Sequence, residues 1–289
     1  MSANGNSRGF AVLALPIVLL LGVFFFVPIG MVLGLAFKPY DQVTLIGEGY
    51  TLANFARFLG TPDHLWTIAR TLGISGATTI LCIVLGFPVA WQLHNVKSGQ
   101  ARLWLTLVVL LPLMISLVVA SFSWMLILGN NGVLNSLLIR IGLISSPIHM
   151  MNTIAGVIIV TVFSHISYSI LTIFASLENI DPSMVRAARI HGATETQILT
   201  RVILPLSLPG MVSGAVIVFS LSMAAFVIPF LIGGGRVSVM PLLVYQYTVQ
   251  FFDWPGAATL SIILLVLTLM ATWLMTGLAQ RAMPWERAR

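Results

Sequence analysis

The stretch DPSMVRAARIHGATETQILTRVILPLSLPGM occupies residues 181–211, and its punctuation specifies a folded loop rather than a tether. Asp181 is a good N-cap, and Pro182 suits a first helical position, where the missing N–H costs nothing. A short helix therefore starts at about Pro182. Ala187 and Ala188 fall in its middle and keep it thin. Met184, Val185 and Ala188 give it an amphipathic pattern, so it is expected to pack against protein. Gly192 fits the helix end, where a left-handed residue is common. Thr194 and Gln197 have capping-box spacing and open a second helix. Pro205 and Pro209 are expected to break or kink the chain before the next apolar run. Residues 179–207 thus read as a compact helix–turn–helix.

On either side of this loop the chain is built for lipid. Of its 289 residues, 58% are apolar and only 8% charged, against about a quarter charged in a soluble domain; mean hydropathy is +1.02. A membrane-spanning helix needs about 20 apolar residues, and runs of that kind lie at 10–37, 67–94, 103–128, 152–177, 209–232 and 257–278. The first is too long for a signal-peptide core of about 7–15 residues and reads as a retained helix. The expected fold class is an all-α membrane protein of about six transmembrane helices. Residues 1–9 form its N-terminus, and 280–289 its tail. Two further segments, 132–144 and 240–252, read as amphipathic helices at the membrane interface. Cys82, the only cysteine, lies inside an apolar run and has no disulfide partner. The net charge of +6 does not point to nucleic acid, because the basic residues are scattered between apolar runs.

Here the resemblance becomes specific. The loop is similar to the E-A-A-x3-G-x9-I-x-L-P loop of binding-protein-dependent ABC importer permeases with a type-1, MetI-like transmembrane domain. Ala187, Ala188, Gly192, Leu204 and Pro205 match it, Ala193 follows the glycine, Val202 stands for the isoleucine, and Arg186 stands for the usual glutamate. The likeness extends over 67–279, with the first helix outside it. It is strongest to the polyamine (spermidine/putrescine) permeases, through Asn131-Gly132-Val133-Leu134-Asn135, Leu206-Ser207-Leu208-Pro209-Gly210, Gly233-Gly234-Gly235 and Asp253-Trp254-Pro255-Gly256-Ala257-Ala258. Those permeases often carry arginine-threonine where this chain has Val119-Ala120-Ser121-Phe122-Ser123-Trp124, and a phenylalanine between Pro255 and Gly256 is missing. The resemblance implies a bacterial inner-membrane permease working with a cytoplasmic ATPase dimer, a second and different permease chain, and a periplasmic or extracellular substrate-binding protein. The cargo it implies is a polyamine or related small amine. It also implies that residues 186–193, with Leu204 and Pro205, form the coupling loop that meets the ATPase. No G-x4-G-K-[ST] is present, so ATP is expected on a partner subunit and no cofactor on this chain.

Polar residues inside spans are costly and often line a path. Trp124, His165, Tyr168 and Ser222 are the candidates for a translocation path. Ser121, Ser123, Ser164 and Ser167 are their polar neighbours, and bonds between helices are the competing role for all of them. A secondary transporter or channel would need repeats or buried coupling residues, and only His165 is a candidate for one. An intramembrane enzyme finds no H-E-x-x-H or G-x-S-x-G.

Orientation follows from charge. With six spans, both termini lie on one side. If that side is cytoplasmic, Arg8, Lys97, Arg102, Arg186, Arg189, Arg201, Arg281, Arg287 and Arg289 are inside, nine of the fourteen Lys and Arg residues. Basic residues favour the cytoplasmic face. Reporter fusions after His94 and after Ala279 should therefore both report cytoplasm, and a periplasmic signal from either would sink this topology.

Overall fold

A computed structural model describes residues 4–282, with side chains from Pro16 to Arg281 except that of Ile17. Arg8, Glu286, Arg287, Arg289 and most of the expected termini lie outside those described side chains. The elements in chain order are α1 (Asn4–Ala36), α2 (Ala53–Gly60), α3 (Pro62–Asn95), α4 (Gly99–Met114), α5 (Leu117–Leu128), α6 (Val133–Arg140), α7 (Ile154–Glu178), α8 (Pro182–Ile190), α9 (Glu195–Ile198), α10 (Leu204–Met223), α11 (Val227–Gly233), α12 (Met240–Tyr245) and α13 (Trp254–Ala282). No strand occurs among the described residues. Among the described residues, six helical stretches are long and apolar enough to cross a membrane: Val18–Ala36, Pro62–Asn95, Leu117–Arg140, Ile154–Glu178, Glu195–Met223 and Trp254–Arg281.

Two expected spans are built differently. The run 103–128 is not one helix but α4 and α5, parted by Ile115 and Ser116 in extended backbone. Pro112 sits near the end of α4; it donates no hydrogen bond and its ring crowds the preceding turn, so the helix stops within two residues. The run 209–232 begins earlier and ends earlier. Helix is continuous from Glu195 to Met223, with a π turn at Leu199–Ile203, and the chain breaks only at Ala224–Phe226 before α11. Pro205 and Pro209 therefore do not interrupt it. The π turn widens the register, so that the Leu204 N–H bonds Leu199 C=O. Pro205, which has no N–H to give, falls in the first turn after this change of register.

The described residues pack as two units. One comprises residues up to Leu65 together with Leu243–Leu265; the other comprises Trp66–Leu242 together with residues from Val266 onward. In the first, Asp253 caps the start of α13 by accepting from the Gly256 N–H at 2.7 Å. Its other carboxylate oxygen meets Arg57 Nη2 at 2.7 Å while its side chain is almost fully buried. The Arg57 guanidinium lies over the Phe58 ring. Thr259 Oγ1 and Asn54 Nδ2 both donate to Ala36 C=O and so tie the end of α1 to α13 and α2.

In the second unit α7 is the central element and lies against α4, α5, α10 and α11. Its closest approach is to α10. A Cβ at Gly210 would collide with Ser176 Cβ, and one at Gly214 would lie 2.5 Å from Thr172 Oγ1 and 3.2 Å from Ser169 Cα. Glycines four apart thus let two backbones meet where any side chain would hold them apart. The helix α6 reverses the soluble amphipathic pattern. Val133 and Leu137 are exposed, whereas Asn135 is buried. Asn135 Nδ2 donates to Gly129 and Ile148 C=O, and its Oδ1 accepts from the Ile148 N–H. This is the outcome expected where the surrounding solvent is apolar and backbone groups must be satisfied internally.

Candidate functional site

The loop between α7 and α10 is held at every joint by a local bond that its sequence supplies. Asp181 accepts from the Ser183 N–H at 2.8 Å, with Pro182 at the start of α8. The Ser183 backbone and hydroxyl bonds hold the Asp181 carboxyl below its ordinary range. A depressed carboxyl keeps its cap above the ordinary pKa and loses it only as pH falls through the lowered one. The far end of α8 closes in a Schellman motif: Gly192 N–H bonds Arg189 C=O at 3.0 Å, and Ala193 N–H bonds Ala188 C=O at 3.1 Å. Gly192 has φ +78°, a conformation that glycine adopts without steric cost. Thr194 then starts α9 with a complete capping box. Its N–H donates to Gln197 Oε1 at 2.9 Å, and its Oγ1 accepts from the Gln197 N–H at 3.3 Å. Across the turn, Arg189 grips Glu195 through Nε at 3.0 Å and Nη2 at 3.2 Å, a two-pronged pair.

One face of the loop is buried. Val185, Ala188, Ala193 and Leu199 pack on a core of Ala90, Val109, Ile170, Ile173, Leu177, Ile198 and Ile203. The turn is therefore seated on α3, α4, α7 and α10 together. Beside it, Glu178 at the end of α7 accepts from Arg102 Nη2 at 2.8 Å and meets His94 Nδ1 at 2.8 Å. Arg102 also lies over the Phe174 ring. Each such bond is worth little at a half-exposed site, but the three groups fix the ends of α3, α4 and α7 to one another.

The other face of α8 is uncovered. Met184 is 47% exposed and Ile190 85% exposed; Arg186, Ala187 and Arg189 are also exposed. Of the residues expected to give the helix its inner face, Val185 and Ala188 do so, whereas Met184 stands at the flank. Leu204 is exposed and Pro205 half-buried at the start of α10.

The structure gathers the expected path residues only in part. His165 and Tyr168 pack ring against ring with centroids 6.4 Å apart on α7, beside a small core of Cys82, Val162 and Val218. His165 and Ser222 are buried, and His165 Nδ1 and Ser222 Oγ have no hydrogen-bond partner. Trp124 on α5 makes its ring contact with Phe163 instead. The neighbouring serines bond to carbonyls: Ser121 to Leu117, Ser123 to Val119, Ser164 to Val160 and Ser167 across to Val109.

A family profile described as the binding-protein-dependent transport system inner membrane component matches residues 82–283. The chain belongs to that family. It is the permease subunit of an ABC importer and a multi-pass inner-membrane protein. Among curated relatives, the spermidine/putrescine transport system permease protein PotB of Haemophilus influenzae is 31% identical over 244 residues, covering 84% of this chain and 85% of that protein. PotB of Escherichia coli K12 is 29% identical over 249 residues, covering 86% and 90%. The fold is shared with a solved bacterial ABC transporter that imports alginate, at 20% identity, a TM-score of 0.77 and coverage of 95% and 96%. It is shared less fully with the MetNI methionine ABC transporter, at 18% identity, a TM-score of 0.58 and coverage of 77% and 99%.

The structure adds four features that the sequence reading did not contain. The Gly210-x3-Gly214 pair carries the small-residue signature of close helix contact and was open to reading. Exposed Ile190 was open to reading from the face opposite Val185 and Ala188. The His94–Glu178–Arg102 knot joins residues too far apart in sequence for any local signal. The π turn had none either, except the proline that follows it.

Gly192 generates a direct test. Aspartate there must adopt φ +78° with a Cβ and an added carboxylate, at a strain on the order of 1–3 kcal/mol. Gly192→Asp is expected to abolish uptake while the protein still inserts, as read by membrane-fraction blotting beside transport. Wild-type uptake together with unchanged ATPase co-purification would refute the assignment of this loop.

Proposed function

We propose that this permease imports a polyamine or a closely related small amine, passed to it by a substrate-binding protein. A cytoplasmic ATPase pair docks on α8 and drives the import. The observation that carries the docking assignment is the doubly capped loop, seated on four helix ends and bare on its outer face. The 29% and 31% identities to spermidine/putrescine permeases over most of both chains support the cargo class. The partner in the membrane is a second, different permease chain, and both termini face the cytoplasm.

In the proposed cycle, closure of the ATPase pair on ATP moves α8. Because Val185 and Ala188 seat α8 on the core that α3, α4 and α7 share, the displacement tilts spans instead of bending a loop. The cavity turns outward, receives the cargo and resets on hydrolysis. His165 and Tyr168 line the path, with Ser222 as a further polar group and Trp124 as an aromatic surface. An imidazole, a phenol and a hydroxyl offer acceptors to an amine, and the rings add cation–π attraction. The unpartnered His165 Nδ1 and Ser222 Oγ favour this reading over purely structural bonding, since buried polar atoms are ordinarily satisfied. The bonded serines Ser121, Ser123, Ser164 and Ser167 fit the structural role instead.

Uptake of labelled putrescine and spermidine by the assembled transporter in vesicles tests the reading. Transport should require ATP inside and the binding protein outside. It should fall by tenfold or more in His165→Ala and Tyr168→Ala, with assembly intact by size-exclusion chromatography. Uptake driven by a proton gradient in vesicles depleted of ATP would contradict the ATP-driven reading. Normal uptake by both variants would contradict the path.

A further inference from the structure

At about 100° per residue, Val185 and Ala188 mark the inward side of α8, and Ser183, Arg186, Ala187 and Ile190 make up the opposite side. All four are exposed, and Ile190 presents 85% of its surface. Their spacing is i, i+3, i+4 and i+7, so they form one continuous stripe. Arg186 belongs to that stripe, one turn from Ile190 and about 40° from it around the helix. A partner that covers Ile190 also covers Arg186.

The charges around Arg186 are already committed. Asp181 feels the Arg186 charge, but its Oδ1 is engaged by the Ser183 N–H. Glu195 is held by both prongs of Arg189, and Glu178 is held by Arg102 and His94. Arg186 has the Asp181 charge nearby but no hydrogen bond or ion pair to any described carboxylate, so it brings a guanidinium without a direct partner to the docking face. Covering it with apolar or cationic surface would strip its water without replacement, which makes an unpaired buried charge strongly unfavourable. A carboxylate satisfies it best, because the planar fork donates two parallel N–H···O bonds to the two carboxylate oxygens.

We propose that the ATPase surface receiving α8 pairs an apolar hollow for Ile190 with a carboxylate for Arg186. This charge arrangement is the reverse of that expected against a glutamate at the same place in the loop. The inference rests on the docking reading above, and it makes Arg186 the residue that selects this ATPase over one whose groove is basic at that point.

A charge series at Arg186 tests it in the assembled transporter. Arg186→Lys should keep most uptake. Arg186→Gln should lower ATPase retention about threefold, and Arg186→Glu should lower uptake and retention tenfold or more. Selection for regained uptake from Arg186→Glu should return ATPase substitutions that replace an Asp or Glu by a neutral or basic residue. Wild-type uptake and retention in Arg186→Glu, with Gly192→Asp still inactive, would overturn the carboxylate while leaving the docking site in place. Normal uptake in both would overturn the docking site itself. Suppressors confined to this permease would overturn the pairing.

Discussion

The backbones of α7 and α10 touch, and everything the coupling loop can transmit depends on that contact. At Gly210 and Gly214 no Cβ fits against Thr172, Ser169 and Ser176. Forcing larger groups into such a seam costs about 1–3 kcal/mol. In lipid, where apolar side chains gain little by leaving the solvent, close van der Waals packing of this kind is a principal source of helix association. The loop joining these two helices is fastened at the same end by its own caps. The Schellman turn at Gly192 and the capping box at Thr194 consume its free backbone groups. Loop and helix pair therefore form one stiff body, in which displacement of α8 becomes displacement of α7 and α10.

Much of this was legible in the sequence, because caps act over three or four residues. Asp181, Gly192, Thr194 and Gln197 each declare a local bond, and the structure contains every one. Six apolar stretches were equally plain, since their length is set by the bilayer. What the sequence concealed was register and distance. Pro205 and Pro209 read as breaks, because a proline normally removes a helical bond. Here a π turn just before Pro205 absorbs the mismatch, and no residue pattern announces it. The split between α4 and α5 was masked by the long apolar run around it, although Pro112 and Ser116 mark its place. Asn135 lies in the segment 132–144 that reads as an interfacial helix, and its amide pins the backbone of a turn thirteen residues away.

The candidate site divides along the same line. The exposed stripe of α8 follows from local periodicity once the inward side is known. The path residues depend on which spans face one another. His165 and Tyr168 meet because they share one face of α7. Trp124 packs on Phe163, a neighbour that only the tertiary arrangement reveals. Polar groups that bond to carbonyls, such as Ser167 to Val109, stabilise the bundle. His165 Nδ1 and Ser222 Oγ are left without a partner, as are Ser75 Oγ and Thr78 Oγ1 on α3.

Stiffness of the loop against the spans is the central claim, and a distance measures it. Spin labels at Met184 on the flank of α8 and at Ser213 on the exposed side of α10 report on one body if the account is right. Their separation should be the same in the nucleotide-free transporter and in the ATP-trapped one, within the spread of the labels. A change on the order of one helical turn, about 5 Å, would show that the loop flexes against α10 and would contradict the account.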